Sequence, residues 1–150
     1  ECVCAPGVVQ KYLSRISGPL LDRIDIHIEI VPVPFEKLSE LKESESSEKV
    51  RERVIKARQI QELRFRDIDG VYCNAQMSSK QMRSFAQIDK AGSDLLKNAM
   101  QRLNLSARAY DRIIKVARTI ADLDDAENIL SNHIAEAINY RNLDREGWAG

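Results

Sequence analysis

The stretch "LSARAYDRIIKVARTIADL", residues 105–123, decides the fold class of this 150-residue chain. Ser106 belongs to the residue types that cap the N-terminus of a helix. Apolar residues then recur at steps of three and four, which is the pattern of one helix face; they are Ala107, Tyr110, Ile113, Ile114, Ala117, Ile120 and Ala121. The stretch therefore predicts a long helix that buries one side, with other helices packed around it in a small bundle.

Other helices are predicted on both sides of this stretch. One short helix is expected at residues 8–16, and a longer one from about residue 47 to 65. Serines 78 and 79 precede another helix, Gly92 is predicted to separate it from a helix capped by Ser93, and Ser131 or Asn132 begins the last one. The helix at 47–65 is expected to bury a stripe made of Val50, Val54, Ala57, Ile60 and Leu63.

A strand is predicted at residues 24–30, within the stretch "RIDIHIEI". Isoleucines alternate strictly with polar residues there, and Pro32 and Pro34 end the run. No second strand signal of similar quality follows, yet a lone strand leaves its backbone polar groups without partners. We therefore expect the pairing strands to lie upstream of Glu1, in a larger sheet-containing domain.

Composition limits the function classes. The 23 basic residues balance the 23 acidic ones, so DNA binding would need a local patch. No apolar run approaches the ~20 residues that span a bilayer, and no signal peptide opens the chain, which predicts no membrane association.

Three cysteines, an odd number, are typical of a reducing compartment, so a cytoplasmic location is expected. Cys2 and Cys4 are either free thiols or half of a zinc site.

Two arginines are candidate anion ligands. Arg23 directly precedes the predicted strand, and Arg108 is about the second residue of the long helix, near its positive end. A salt bridge of Arg23 with Asp22 or Asp25, and a solvated Arg108, are the structural alternatives. Further along the same helix, three basic residues form a possible nucleic-acid-facing row: Arg112, Lys115 and Arg118.

Three separated blocks together resemble one known family. They are "CVCAPGVVQKYLSR", "ISGPLLDRIDIHIEI" and "LSARAYDRIIKVARTIADL" with "HIAEAINYR", and they resemble the magnesium-chelatase-like AAA+ ATPases, most closely the competence-associated ComM or YifB type. The resemblance implies a mainly α fold. Residues 1–34 would end a truncated αβα core with its terminal strand, and residues 35–150 would form the helical C-terminal lid bundle.

The resemblance also implies roles for single residues. Arg23 would be the arginine finger that reaches the ATP of the neighbouring subunit, Asp22 would orient it, and Arg108 would occupy the sensor-2 position. ATP and Mg²⁺ would be the cofactors, a homo-hexameric ring the assembly, and branch migration of DNA the activity. Cys2 and Cys4 would be the second half of a cysteine cluster.

The sequence departs from a complete ATPase and leaves alternatives open. It contains no G-x-x-x-x-G-K-[ST] motif, so these residues alone are expected neither to hold ATP tightly nor to hydrolyse it. One alternative is a helix-turn-helix DNA-binding module formed by the last two helices. Another is the motor subunit of a magnesium chelatase. The basic helix at 47–66 would face DNA, a neighbouring subunit or solvent.

Overall fold

The computed structural model describes residues 3–35 and 45–141 of the chain. Within these ranges it is mainly α-helical, as expected. The helices are α1 (Pro6–Leu13), α2 (Gly18–Leu21), α3 (Ser47–Phe65), α4 (Ser79–Phe85), α5 (Lys90–Arg102), α6 (Ala107–Leu123) and α7 (Ser131–Asn139), and a 3-10 turn (Asn74–Gln76) lies between α3 and α4.

Helix α6 is the centre of the bundle. It packs against α7, α3, α4 and the 3-10 turn, and α5 packs against α7. The predicted stripe is buried from Ile113 onward, together with Ala109, Arg118 and Asp122, whereas Ala107 and Tyr110 are exposed. The core around them contains Phe65, Met77, Met82, Leu96, Ile113, Ile114, Ala117, Ala121, Ile129 and Ile134.

The helix starts follow the capping residues of the sequence. Ser106 accepts the backbone N–H of Ala109 at 3.2 Å, and Ser78 forms a reciprocal capping box with Gln81. Ser46 caps α3, and α7 begins at Ser131. Each side-chain cap satisfies an N–H group that has no partner within its helix. The predicted caps at Ser78 and Ser106 and the predicted start of the last helix at Ser131 are confirmed.

The predicted break at Gly92 is wrong. Helix α5 begins at Lys90 and contains Gly92, and its cap is Asp89, whose Oδ1 accepts the Gly92 N–H at 2.7 Å, instead of Ser93. A Cβ on Gly92 would lie 2.7 Å from that oxygen, 2.8 Å from Ile88 Cγ2 and 3.3 Å from Ile134 Cγ1. The glycine is therefore used for close packing of α5 on its own cap and on α7.

We expect Gly92→Ala to destabilise the protein by about 1–3 kcal/mol, because the added methyl group has no room. Helix propensity alone would favour alanine by about 1 kcal/mol. The control is Gly7→Ala, since a Cβ at Gly7 in α1 meets no heavy atom within 4 Å. Urea unfolding followed by circular dichroism measures both. Equal stability of the two variants would contradict the packing argument.

Helix α3 buries only part of the predicted stripe, in which Ala57 is buried and Ile60 half-buried. The buried residues are Ala57, Gln61 and Phe65, while Val50, Val54 and Leu63 are exposed. Gln61, which the apolar pattern leaves out, is buried with a hydrogen bond, since its Oε1 accepts the backbone N–H of Asn74 at 3.1 Å. A pattern based on apolar residues alone cannot identify a face that is buried partly through hydrogen bonds.

A buried polar cluster lies beside the buried face of α3. We call it the Asp122 cluster (Arg64, Asn74, Arg118, Asp122). The Asp122 carboxylate is fully buried. It accepts from Arg64 Nη1 at 2.7 Å, from Asn74 Nδ2 at 2.7 Å and from Arg118 Nε at 3.1 Å. Burial lowers the pKa of the Arg118 guanidinium from its ordinary value, and the Asp122 charge opposes that shift. The cluster joins α3, the 3-10 turn and α6.

Residues 24–30, predicted as a strand, form no ladder among the described residues, where a single parallel bridge joins Ile88 and Ile129. The isoleucines at 24, 26, 28 and 30 are 39–89% exposed, whereas His27 is buried. The His27 N–H donates to the Tyr140 carbonyl at 2.7 Å. In this alternating segment the polar residue His27, and not the isoleucines, therefore faces the helices. No described strand lies beside the segment to supply a ladder.

Candidate functional site

Arg23 lies just after the short helix α2. Leu21 is buried and anchors this helix, and Asp22 is its C-terminal cap. The Arg23 side chain is exposed and its Nη1 donates to the Pro19 carbonyl at 2.9 Å. It makes no ion pair with Asp22 or Asp25, so the structural alternative for this residue is wrong. A guanidinium has five N–H donors, and most of those on Arg23 face solvent.

The residues beside Arg23 are bound to the helical bundle. Arg141, which is fully buried, donates through Nη1 to the Ile24 carbonyl and has Nη2 3.9 Å from Asp22 Oδ1. Arg112 on α6 forms an ion pair of 2.7 Å with Asp25. Residues 22–27 are therefore held against α6 and the end of α7, while Arg23 itself projects outward.

Arg108 is the second residue of α6 and is exposed. The cap by Ser106 uses the Ala109 N–H, so the N–H groups of residues 107 and 108 have no partner within the helix. No ion pair or hydrogen bond of this side chain occurs within residues 3–35 and 45–141. A helix N-terminus with a free guanidinium is an arrangement that favours an anion.

The turn before α6 positions this N-terminus. Asn104 has a φ of 47°, and the Leu105 N–H donates to the Met100 carbonyl at 3.0 Å, which closes the end of α5. A groove of about 350 Å³ lies between α2 and this turn, lined by Gly18, Pro19, Leu21, Asp22, Asn104, Leu105 and Ser106. The structure therefore brings the segment that precedes Arg23 beside the segment that precedes Arg108.

The row of basic residues on α6 is not a nucleic-acid surface. Arg112 pairs with Asp25, Lys115 Nζ donates to the Ala75 carbonyl at 2.9 Å, and Arg118 is buried in the Asp122 cluster. Sequence reasoning missed Asp25 and the Ala75 carbonyl because they lie far along the chain, and it overlooked Asp122, which is four residues after Arg118 on the same helix. Asp25, 87 residues from Arg112, gave no signal beyond its charge.

The helix-turn-helix alternative has little support in the last helix. A helix-turn-helix would read bases through side chains at the start of this helix, and the sequence offers Asn132 and His133 there, but His133 is buried. Its Nδ1 accepts the Leu130 N–H at 3.0 Å, and its Nε2 lies 3.1 Å from Asp124 Oδ2. The imidazole thus caps α7 and ties it to the end of α6, which leaves only Asn132 exposed at the start of the helix.

No metal centre is formed by the part of the chain that the structure describes, where no three His, Cys, Asp or Glu side chains cluster. Cys4 is an exposed free thiol and Cys73 a partly buried one. Cys2, the other half of the predicted zinc pair, lies outside the described residues. None of the described helices combines the length and the apolarity needed to cross a membrane.

Comparison with known proteins gives matches along almost the whole chain. The family described as magnesium chelatase, subunit ChlI C-terminal, matches residues 44–141, and the family described as magnesium chelatase, subunit ChlI, matches residues 1–38. Competence protein ComM of Haemophilus influenzae is 40% identical over 142 residues, covering 94% of this chain and 27% of the relative. Uncharacterized protein YifB of Escherichia coli is 38% identical over 143 residues, covering 95% and 27%.

An uncharacterized protein of Mycobacterium tuberculosis is 33% identical over 141 residues, covering 94% of this chain and 28% of the relative. The chain spans about a quarter of the length of the curated relatives it matches. Because the first family match covers most of the chain, in the mainly helical bundle described above, the chain belongs to the magnesium chelatase subunit ChlI family and carries its C-terminal domain.

Proposed function

We propose that this chain supplies two phosphate-contacting arginines to a ring-forming AAA+ ATPase, with Arg23 as arginine finger and Arg108 as sensor 2. One observation carries the proposal: both guanidiniums are exposed and lack an ion pair within the described residues, and the segments that precede them meet across one groove. Arg64 and Arg118 are used in buried contacts instead, and the exposed Arg51 and Arg58 lie on α3, which does not line this groove.

The residues present fit a triphosphate but not its metal ion. The planar fork of Arg23 matches phosphoryl oxygens, and moving it outward breaks one exposed hydrogen bond, at a cost of about 0.5–1.5 kcal/mol. The described residues offer no carboxylate cluster for Mg²⁺, so its ligands would come from elsewhere in the protein. Bound ATP with Mg²⁺ would supply the phosphoryl group that is transferred to water.

Each residue has a defined task in this proposal. Arg23 reaches the γ-phosphate held by the neighbouring subunit and stabilises the charge of the transition state. Asp22, 3.9 Å from Arg141, fixes the backbone from which Arg23 projects. Arg108 and the free N–H groups at the start of α6 bind the same phosphate group, because the groove places α2 beside that helix end.

For the whole protein we propose a homo-hexameric motor that acts on DNA in the cytoplasm. The DNA role is implied by the resemblance to the competence-associated type. On α3, Arg51 and Arg58 are exposed and have no ion-pair partner among the residues that the structure describes, whereas Arg53 and Lys56 pair with Glu45 and Asp125. Since residues 51 and 58 are seven apart, they share one helix face, which would contact DNA or a neighbouring subunit.

Subunit mixing in the whole protein tests the shared site. Arg23→Ala subunits mixed with Arg108→Ala subunits should not recover ATP hydrolysis, because no neighbour then supplies both arginines. Subunits lacking both arginines, mixed with phosphate-loop variants, should recover about one quarter of wild-type turnover in randomly mixed rings. Recovery of ATP hydrolysis in the first mixture would show that the two arginines serve different nucleotides. Wild-type turnover of either single variant would show that the replaced arginine does not have the role proposed for it.

A magnesium-chelatase motor is the second candidate, favoured by the description of the matching family. The two candidates differ in what stimulates hydrolysis. A DNA motor should hydrolyse ATP faster with branched DNA, in a manner that weakens with salt. A chelatase subunit should respond instead to its tetrapyrrole-binding partners and be indifferent to DNA.

A further inference from the structure

The backbone around Arg23 is fixed by contacts from two different helices. On its N-terminal side Asp22 lies near buried Arg141, and on its C-terminal side the Ile24 carbonyl accepts from that same guanidinium. Two residues further on, Asp25 pairs with Arg112 at 2.7 Å, and the His27 N–H bonds to the Tyr140 carbonyl. The contacts thus surround Arg23 without engaging its own side chain.

Among these contacts, the one made by Arg112 comes from the helix that also carries Arg108. Arg112 is four residues after Arg108 on α6, so the two side chains lie one helical turn apart on the same face. The Arg112–Asp25 pair therefore links the helix that carries Arg108 to the segment that carries Arg23. The Arg112 and Asp25 side chains are partly exposed, at 33% and 42%. An ion pair this exposed contributes little to the free energy of unfolding, so stability does not explain why the pair lies between these two segments.

We propose that Arg112 and Asp25 are positioning residues that hold Arg23 in register with Arg108. This inference rests on the proposed function. Neither residue touches nucleotide. The pair makes the two phosphate-contacting arginines move as one unit, so that a shift of α6 is passed to Arg23. Buried Arg141 anchors the same segment from the other side, and the exposed pair sets its final orientation.

Three variants of the whole protein test the proposal: Arg112→Ala, Asp25→Asn and the charge swap that combines Arg112→Asp with Asp25→Arg. Each single variant should lower kcat for ATP hydrolysis about ten-fold, since a misplaced contact of ~1 Å costs up to a hundred-fold. KM for ATP and ring assembly should stay unchanged. The two single variants together should be no worse than either alone, and the charge swap should recover part of kcat.

A second measurement does not depend on activity. Amide hydrogen exchange at His27 should accelerate about ten-fold in Arg112→Ala, because its segment opens more often. The matched control is Arg53→Ala, which breaks the exposed Arg53–Glu45 pair of 2.6 Å on α3 and, assayed without DNA, should change neither readout.

The outcomes separate this inference from the proposed function. If Arg23→Ala is inactive while the pair variants keep wild-type kcat and His27 exchange, the positioning role alone is wrong. If kcat falls together with ring assembly, or the charge swap recovers nothing, the pair is merely structural and the inference is overturned. If Arg23→Ala itself retains wild-type turnover, the proposed function fails, and the positioning role fails with it.

Discussion

Replacing Arg23 by alanine in the whole protein is expected to lower kcat for ATP hydrolysis by about 10³-fold or more while ATP still binds. The physical reason is that an arginine supplied across a subunit contact acts on charge that develops only in the transition state. Because the described contacts of Arg23 consist of a bond to the Pro19 carbonyl, its removal leaves no buried group unpaired. Steady-state turnover and nucleotide binding, measured side by side, check both parts.

Two comparisons sharpen this test. Arg23→Lys keeps the charge but loses the planar fork, so it should retain only a small part of the rate. Arg66→Ala removes another exposed arginine, which pairs with Asp67 at 3.2 Å just after α3, and it should leave turnover unchanged. If Arg23→Ala binds ATP poorly or hydrolyses it normally, Arg23 is not an arginine finger.

Replacing Asp122 by alanine is expected to cost about 3–5 kcal/mol of unfolding free energy. The carboxylate is the shared partner of Arg64 and Arg118, and it is fully buried beside a guanidinium that is 1% exposed. Its removal leaves two positive charges facing each other with little access to water. Thermal unfolding followed by circular dichroism should show a Tm lower by about 10 °C or more.

The control for this prediction is Asp67→Ala, which breaks an ion pair on the surface of the same bundle. Exposed pairs contribute about 0–1 kcal/mol, so Tm should hardly change. Asp122→Asn keeps the shape and some hydrogen bonding but not the charge, and its stability should lie between those of Asp122→Ala and wild type. Similar Tm values for Asp122→Ala and Asp67→Ala would contradict the role of the cluster.

Local signals in the sequence predicted the helices well, because caps and periodicity act over a few residues. Helix α3 spans the predicted residues 47–65, and Ser106 caps α6. The errors arose where distant contacts decide the outcome. Gly92 looks like a helix breaker, yet its missing side chain is what allows α5 to approach Ile134. The buried face of α3 depends on Asn74 and Asp122, which no spacing rule connects to it.

In the candidate site, too, local features were predicted and distant contacts were missed. Arg23 and Arg108 were identified from their positions in short motifs, and the structure finds both exposed. That the segments before them meet across a groove was not predictable, since it depends on how α2 docks beside the end of α5. Arg112 was assigned to a surface row because its sequence neighbours are basic. Its true partner, Asp25, belongs to a segment expected to pair as a strand.

The outward-facing isoleucines at 24, 26, 28 and 30 have a consequence for handling these 150 residues. Among the described residues this segment pairs with no other strand, and an exposed line of β-branched side chains is a template onto which another copy can add by edge-to-edge pairing. Exposed strand edges of this kind recruit chaperones in cells and cause precipitation in concentrated solution. Purification at low concentration, with lysine introduced at Ile28 or Ile30 as a gatekeeper, is the practical remedy.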